Sequence, residues 1–290
     1  MEEKAEFIGG YQLRNLIATG QSSQVWEVVE PSSKRHFAMK MLLPEAATNP
    51  ATKKLLVHEA EVGLKLQHPN IIKIVKVVKE GKTPFFVMEF FPAGSMQFRI
   101  INKQFDFIKE YAVTIFKQIA TALAYMNSSG WIHRDVKPDN MLANSLGESK
   151  LIDFAISCRA HQKRSFLAAF FFGQKAKVMG TRSYMSPEQI RDEPLDARAD
   201  VYSFGATVYE IVAGRPPFRG ATSQDLLAKH LMEKPLPPKG INPDVTDDFS
   251  ALTLRMLAKK PEDRPANFHE VLMAMKTMRI FKSQATPKAK

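Results

Sequence analysis

The sequence predicts an α+β fold with two lobes, in which a small antiparallel β-sheet lobe with one main helix precedes a larger, mostly helical lobe. Two observations support this division. Residues 11–18, 24–30 and 35–42 alternate partly between apolar and polar side chains, and the turns TGQSS and PSS separate them, as expected of short strands. From Phe107 onward, apolar residues recur instead every three or four positions, which is typical of amphipathic helices.

The other elements of the first lobe follow from the same patterns. Residues 53–66 predict a helix, and its inner face is expected to carry Leu55, Leu56, Ala60, Leu64 and Leu66. The segments IIKIVKVV (71–78) and TPFFVMEF (83–90) return to strand character. The first lobe is therefore predicted as strands around one helix.

The second lobe is predicted from helical periodicity. Its first helix is long, with an apolar face formed by Ile108, Ala112, Ile115, Ile119, Leu123 and Met126. Loops rich in Pro and Gly, such as GRPPF and EKPLPPKG, interrupt the later pattern. We therefore expect further helices at residues 199–213, 223–232, 247–257 and 267–280.

Composition and charge exclude several classes of protein. The 290 residues are 44% hydrophobic and 24% charged, as in ordinary globular domains, and the single cysteine, Cys158, cannot form an internal disulfide. The longest apolar run, 166–172, is much shorter than the roughly 20 residues of a membrane helix, so no membrane span is expected. The net charge of +11 comes without the aromatic and basic platform of nucleic-acid modules. We therefore expect no nucleic-acid partner, and a basic surface around a site for an anionic cofactor.

The string HRDVKPDN, residues 133–140, carries the strongest chemical signal. It places a carboxylate, Asp135, two residues before Lys137 and five before Asn140, in a turn that follows the long helix. A carboxylate can orient a hydroxyl group, a lysine can stabilise a transferring phosphoryl group, and an amide oxygen can bind Mg²⁺. A polar loop that merely caps a helix does not account for so specific a string.

With this string and with HFAMK, KLIDFA, GTRSYMSPE and DVYSFG in family order, the chain resembles the eukaryotic-type protein kinase superfamily, and most of all the bacterial serine/threonine protein kinases. The resemblance implies the bilobal protein kinase fold, ATP and Mg²⁺ (or Mn²⁺) as cofactors, and a protein substrate that offers Ser or Thr. It also implies an N-terminal extension at 1–10, a catalytic domain at 11–281, and a basic tail or start of a linker at 282–290. Within the catalytic domain, the N-lobe would span 11–88, the hinge 89–94 and the C-lobe 95–281.

The resemblance assigns catalytic roles to the residues that match the family motifs. Asp135 would be the base that accepts the proton of the substrate hydroxyl, and Lys137 would steady the γ-phosphate. Lys40 of HFAMK would hold the α- and β-phosphates. Its partner would be Glu59, which lies at the family spacing, and Glu61 on another face of the helix is the alternative.

Further roles concern the metal, the nucleotide and the framework of the site. Asn140 and Asp153 would bind the metal ion, because Mg²⁺ favours oxygen ligands. Glu188 would pair with Arg264, and Asp200 would anchor the loop that carries the catalytic residues. The residues that would contact the nucleotide are Ile17, Gly20, Val25, Ala38, Lys40, Met88, Glu89, Phe91 and Leu142.

Three features of the nucleotide side depart from the family pattern. The phosphate-covering loop, residues 18–25, keeps only the middle one of three family glycines, Gly20. Gly63 stands where the family usually has a bulky residue against the Phe of the Asp-Phe pair, so we expect a gap, filled by Leu64 or a nearby Met, and a helix that moves easily. Ala155 replaces the glycine after the Asp-Phe pair. Because an alanine disfavours only positive φ, we expect altered switching of this turn but intact metal binding.

The fourth departure lies between Asp153 and Glu188. Arg134 precedes the catalytic Asp, an arrangement that often pairs with a phosphate on this segment, yet Ser165 is the only hydroxyl side chain in its central part. Four Phe fall within residues 166–172. They either pack on the protein itself or form a docking or self-association surface, and the sequence leaves both interpretations open.

Two functions are compatible with these motifs. One is an ATP- and Mg²⁺-dependent serine/threonine protein kinase, and the other is a pseudokinase scaffold that binds nucleotide without efficient transfer. Because Lys40, Asp135, Asn140 and Asp153 are all present, we favour the kinase. The expected location is the cytoplasm, for the chain alone or as the cytoplasmic part of a longer membrane-anchored protein.

Overall fold

The chain folds into two compact units. The computed structural model describes residues 6–79, 84–161 and 182–283. The first unit comprises Met1–Pro92 with Asp153–Ala155, and the second comprises Ala93–Ile152 with Ile156–Lys290. An antiparallel sheet and a helix make up most of the first, whereas the second is mostly helical, and this confirms the predicted α+β class.

The sheet of the first unit agrees closely with the strands predicted from alternation. Its strands are β1 (Phe7–Ile8), β2 (Tyr11–Thr19), β3 (Ser23–Val29), β4 (His36–Leu42), β5 (Ile74–Val78) and β6 (Phe85–Glu89). They pair antiparallel in the order β1-β2-β3-β4-β6-β5. β1 lies within the predicted N-terminal extension and pairs with the first two residues of β2. In this register Lys40 on β4 stands between Val25 on β3 and Phe86 on β6.

Helix α1 (Pro50–Lys65) packs on this sheet and begins three residues before the predicted start. The side chain of Asn49 accepts a hydrogen bond from the backbone N–H of Ala51 at 2.9 Å and so caps the helix. The prediction that Leu64 lies on the inner face is wrong, because its side chain is 43% exposed. The inner face instead follows a spacing of four and three residues: Leu56, Ala60 and Gly63.

The second unit contains the predicted helices together with shorter ones. Its helices are α2 (Met96–Ile101), α3 (Phe105–Ser128), α4 (Pro187–Ile190), α5 (Ala197–Ala213), α6 (Ser223–Met232), α7 (Pro238–Ile241), α8 (Asp247–Met256) and α9 (Phe268–Ala274). The long helix predicted from Phe107 is α3, and its apolar face is buried as expected. Within the three described ranges, no helix combines the length and the apolar character that crossing a membrane requires.

Helix α9 is shorter than the sequence predicts, since it ends at Ala274 and not at residue 280. The apolar residues beyond it continue the core without continuing the helix. Ile280 and Phe281 are buried, and Phe281 forms a β-bridge with Val245. Periodicity alone could not distinguish this return of the chain from a further helical turn.

Short strands frame the segment 133–140 in the second unit. They are β7 (Gly94–Ser95), β8 (Trp131–Ile132), β9 (Met141–Ala143), β10 (Ser149–Leu151) and β11 (Cys158–Arg159). β9 lies between β10 and β7, and β8 pairs with β11. Elements of two or three residues have no readable periodicity, so the sequence did not predict them. Because β8 and β9 flank residues 133–140, both ends of this segment are fixed by strand pairing.

A buried ion pair ties α4 to the loop before α9. Arg264 Nη1 and Nη2 lie 2.6 and 2.9 Å from the two carboxylate oxygens of Glu188, and both residues are buried. Arg264 also donates to the backbone carbonyl oxygens of Ala258, Lys259 and Arg198. The pair predicted from the sequence is therefore present, with all five N–H donors of the guanidinium used.

Replacing Glu188 with Ala should lower the free energy of unfolding by about 3–5 kcal/mol, because the change leaves the Arg264 charge buried without compensation. Chemical denaturation followed by fluorescence measures this loss. Glu61→Ala is the matched control, since Glu61 pairs with Lys79 at 2.6 Å but both side chains are about half exposed. We expect it to cost less than about 1 kcal/mol. Equal losses in the two variants would contradict the structural role given to Glu188.

Candidate active site

The segment 133–140 is held by a buried carboxylate from α5. Asp200 Oδ2 accepts hydrogen bonds from the backbone N–H of His133 and from Asn127 Nδ2, and Oδ1 accepts one from the backbone N–H of Arg134, each at 2.9 Å. Burial raises the pKa of Asp200, and these donors act in the opposite direction. Arg134 has a φ of 68°, which is costly for a residue with a Cβ. The carboxylate therefore fixes the backbone immediately before Asp135.

Three predicted site residues of this segment lie together. Lys137 Nζ is 2.7 Å from Asp135 Oδ2, and Asn140 Nδ2 donates to the same oxygen at 3.0 Å and to the Asp135 carbonyl at 2.8 Å. Among the described residues, Asp135 Oδ1 has no hydrogen-bond partner. Since Asn140 uses its amide nitrogen for Asp135, its amide oxygen is the atom that could bind a ligand.

Sequence reasoning missed two residues that support this segment. Thr207 Oγ1 lies 3.1 Å from the carbonyl oxygen of Val136 and 2.7 Å from that of Ser203, so its one hydroxyl hydrogen is shared between them. Gln189 Nε2 donates to the carbonyl of Arg134 at 2.9 Å. Thr207 is fully buried on α5, where its neighbours are mostly apolar. A polar residue within a predicted buried helix is the signal that could have found it, because buried polar groups are hydrogen-bonded.

The end of the GTRSYMSPE motif is also ordered by internal hydrogen bonds. Ser186 and Gln189 cap α4 reciprocally, since each side chain accepts from the backbone N–H of the other. Tyr184 donates its hydroxyl hydrogen to Glu210 at 2.6 Å, in a buried position. Burial raises the pKa of Glu210. The described part of the motif, from Arg182 onward, is therefore held in place by its own capping hydrogen bonds and by Glu210.

The first unit contains the second group of predicted residues. Lys40 Nζ lies 2.8 and 2.7 Å from Glu59 Oε1 and Oε2. Burial raises the pKa of Glu59 to about 7, and the Lys40 ammonium opposes this while the Asp153 carboxylate adds to it. The alternative partner, Glu61, binds Lys79 on the surface. Of the two glutamates, Glu59 is therefore the one that pairs with Lys40.

The turn at Asp153 accommodates an alanine where a glycine is expected. The positive φ of this turn, 67°, belongs to Asp153, and Ala155 has no positive φ. The backbone N–H of Ala155 donates to Asp153 Oδ1 at 3.2 Å. Asp tolerates the left-handed region better than most residues with a side chain. The Cβ of Ala155 therefore causes no strain in this arrangement of the turn.

Most residues predicted to contact the nucleotide lie on the sheet of the first unit. Their positions are Ile17 on β2, Gly20 in the turn after it, Val25 on β3, Ala38 on β4, Met88 and Glu89 on β6, Phe91 just beyond β6, and Leu142 on β9 of the second unit. The backbone N–H of Glu89 donates to the carbonyl of Lys73 at 2.9 Å. The N–H group of Glu89 is therefore engaged within the first unit and is not available to a nucleotide.

The gap expected at Gly63 is absent. A Cβ built on Gly63 would lie 2.9 Å from Ile74 Cγ1 and still closer to Ile74 Cδ1. The side chain of Ile74, and not Leu64 or a methionine, thus occupies the space beside the glycine. The expectation of a gap was wrong because it treated the helix by itself and could not foresee a side chain arriving from β5.

The available donors suit Mg²⁺ better than a transition metal. In the part of the chain that the structure describes, no group of three or more His, Cys, Asp or Glu side chains could hold a metal ion. Mg²⁺ usually takes one or two protein ligands and completes its shell with water and substrate phosphates. A carboxylate such as that of Asp153 in the first unit, and an amide oxygen such as that of Asn140 in the second, are each ligands of the kind that Mg²⁺ favours. Two features singled out in the sequence, Ser165 and the Phe-rich run 166–172, lie outside the described residues.

Comparison with known proteins agrees with these observations. The protein kinase domain family matches residues 11–277. A serine/threonine-protein kinase PknB of Mycobacterium leprae is 32% identical over 258 residues, which cover 88% of this chain and 40% of that protein. PknB of Mycolicibacterium smegmatis is 32% identical over 279 residues, which cover 95% and 43%. A probable serine/threonine-protein kinase of Corynebacterium efficiens is 34% identical over 262 residues, which cover 88% and 39%. The chain thus spans about two fifths of the length of these curated relatives.

Proposed function

Because this chain belongs to the protein kinase family, we propose that it transfers the γ-phosphoryl group of ATP to Ser or Thr hydroxyls of a protein substrate. The observation that carries the proposal is the arrangement of Asp135, Lys137 and Asn140, with one carboxylate oxygen of Asp135 held and the other without a partner among the described residues. In the proposal, the kinase domain spans residues 11–281, with lobes at 11–88 and 95–281 and a hinge at 89–94.

In the proposed reaction, Asp135 Oδ1 accepts the proton of the substrate hydroxyl as the hydroxyl oxygen bonds to the γ-phosphorus and the bond to the ADP oxygen breaks. The hydrogen bonds of Lys137 and Asn140 to Oδ2 keep the carboxylate in one orientation. The ammonium group of Lys137 adds positive charge where negative charge develops on the transferring group. Most of the rate acceleration would come from positioning and charge, with no covalent intermediate.

Lys40 holds the α- and β-phosphates in the proposal, and Glu59 fixes the position of its ammonium group through two short contacts. Asp153 and Asn140 supply the oxygen ligands for Mg²⁺, or Mn²⁺ in its place. A bound divalent cation neutralises phosphate charge and orients the leaving group. Adenine would lie against Ile17, Val25, Ala38, Met88 and Leu142, next to the backbone of Glu89 and Phe91 and with Gly20 at the phosphates.

The choice of Ser/Thr over Tyr substrates rests on Lys137 and on the names of the relatives. A lysine two residues after the catalytic Asp resembles the serine/threonine pattern, as does Thr181 of GTRSYMSPE. We also propose that the substrate is a protein and that the reaction takes place in the cytoplasm, with ATP from there. Self-association or docking through residues 166–172 is a separate hypothesis, which concerns the regulation of the kinase.

Incubation with γ-labelled ATP and Mg²⁺, with and without a mixed protein substrate, tests the proposal. Wild-type protein should transfer label to Ser or Thr, mapped by mass spectrometry, and Asp153→Ala should reduce the label by at least about 100-fold. Binding of ATP without any transfer by the wild type would favour the pseudokinase scaffold. Undiminished transfer by Asp153→Ala would remove Asp153 from the proposed metal site.

A further inference from the structure

Residues 279–283, which we call the strap, lie on the second unit, and Asp244 binds the end of this segment. Asp244 Oδ2 accepts the hydroxyl hydrogen of Ser283 at 2.7 Å, and Asp244 Oδ1 accepts the backbone N–H of Ser283 at 3.1 Å. The backbone N–H of Lys282 donates to the carbonyl oxygen of Asp244 at 2.7 Å. A single aspartate thus binds two consecutive residues of the strap.

A lysine of α3 completes the surroundings of this carboxylate. Lys109 Nζ lies 2.9 Å from Asp244 Oδ2, the oxygen that also accepts from Ser283. Hydrogen bonds from Ser283 and from Lys109 lower the pKa of Asp244 to about 2. The carboxylate is therefore charged at neutral pH, and its surroundings favour donors and cations. A second negative charge on Ser283 Oγ would be repelled by Asp244.

The rest of the strap is bound through its backbone and one aromatic ring. The backbone N–H of Thr246 donates to the carbonyl of Ile280 at 2.9 Å, and Thr246 Oγ1 donates to that of Arg279 at 2.7 Å. Phe281 is buried and bridges Val245, but it also lines a cavity of about 380 Å³. Because packing beside Phe281 is incomplete, loosening the strap costs less than it would in a closely packed core.

We propose that Ser283, which is exposed, is a phosphorylation site and that a phosphate there releases the strap from Asp244. In the modification, Ser283 Oγ bonds to the γ-phosphorus of ATP, the hydroxyl proton passes to the base of the enzyme, and the bond to the ADP oxygen breaks. The product has no hydroxyl hydrogen to donate and carries close to two negative charges. The modification thus frees Lys282 and Ser283, the first residues of the predicted tail or linker.

That the modifying enzyme is a second copy of this chain rests on the function proposed above. That a charge at position 283 releases the strap does not depend on that function. The two parts of the inference therefore need separate experiments, of which the first requires no phosphoryl transfer.

Hydrogen exchange at the backbone amides of Lys282 and Thr246 measures release, because both amides are bonded within the contacts of the strap. Ser283→Glu puts a carboxylate in place of the hydroxyl and should speed their exchange by about tenfold or more, as expected for the loss of hydrogen bonds to a charged group. Ser283→Gln is the matched control of the same size without the charge, and we expect it to remain within about threefold of the wild type.

A second substitution tests whether Asp244 is the group that repels the charge. Adding Asp244→Asn to Ser283→Glu removes one of the two like charges and should slow exchange to the rate of Ser283→Gln. Exchange within α5 should be unchanged in every variant, because the release is local. Equal exchange in Ser283→Glu and Ser283→Gln, or no recovery in the double variant, would overturn the release of the strap.

Transfer between two copies identifies the acceptor. Tagged Asp135→Asn protein is incubated with wild-type protein, γ-labelled ATP, Mg²⁺ and a mixed protein substrate, and the labelled residues are mapped by mass spectrometry. Ser283 of the tagged protein should gain label, and Asp135→Asn/Ser283→Ala should lose that label. Label on the mixed substrate but not on Ser283 would overturn the acceptor role. No label on any protein would refute the proposed function instead, and the hydrogen-exchange result would still decide the release.

Discussion

Replacing Asp135 with Asn should lower kcat for phosphoryl transfer by about 10²–10⁴-fold, the usual contribution of a positioned general base. The change removes the negative charge that accepts the substrate proton and that binds Lys137 at 2.7 Å. The dissociation constant of Mg²⁺·ATP should change by less than about threefold, because Asp135 is not among the proposed phosphate or metal ligands. Steady-state kinetics gives kcat, and calorimetry gives the dissociation constant.

Asp139→Asn is the matched control for this experiment. Asp139 lies four residues further along the same segment and is exposed to solvent. It makes no hydrogen bond to Lys137 or Asn140 of the kind that Asp135 makes. We expect kcat to remain within about tenfold of the wild type. Comparable losses in the two variants, or none in Asp135→Asn, would contradict the role of Asp135.

Replacing Lys40 with Met should lower kcat/KM for ATP by at least about 10²–10³-fold, as expected for the loss of a charged group that contacts phosphate. The change also removes the partner of Glu59, a buried carboxylate whose pKa burial raises to about 7. Removal of one member of a buried ion pair is usually destabilising, whereas removal of both is tolerated better. The melting temperature of Lys40→Met should therefore be lower than that of Lys40→Met/Glu59→Gln.

The double variant separates the structural from the catalytic effect. Lys40→Met/Glu59→Gln should regain melting temperature but no activity, because the phosphate-binding cation is still missing. Lys79→Met is the control, since Lys79 also pairs with a glutamate of α1 but at the surface. Its activity should stay within about twofold of the wild type. Normal turnover of Lys40→Met would place the phosphate-binding lysine elsewhere.

The parts of the fold that were predictable are those where local pattern and burial coincide. The partly alternating segments 24–30 and 35–42, with turn residues between them, predicted β3 and β4. The pairing of Glu59 with Lys40 was predictable only by resemblance, because the two residues lie 19 positions apart in the chain. In the structure Glu61 pairs with Lys79, and the spacing of residues in the sequence does not reveal this contact.

The unpredicted features depend on contacts between distant segments. Ile74 fills the space beside Gly63 from β5, and the helical periodicity of α1 contains no information about that strand. In the same way, α9 ends at Ala274, and the chain beyond it turns back so that Phe281 forms a β-bridge with Val245. At Ala155 the sequence limited the possibilities correctly, since only a positive φ would be costly, but which residue of the turn has that φ was decided by the fold.

The most direct test of the proposed kinase activity measures ADP release and phosphate incorporation in one reaction. Its substrates are peptide mixtures that contain Ser, Thr or Tyr as the only hydroxyl residue. If the chain is a serine/threonine kinase, the Ser and Thr mixtures should gain about one phosphate per ADP released, and the Tyr mixture should gain none. Asp135→Asn run in parallel should lose ADP release and incorporation together. ADP release without phosphate incorporation would contradict the proposed kinase activity. So would tight Mg²⁺·ATP binding with neither ADP release nor incorporation.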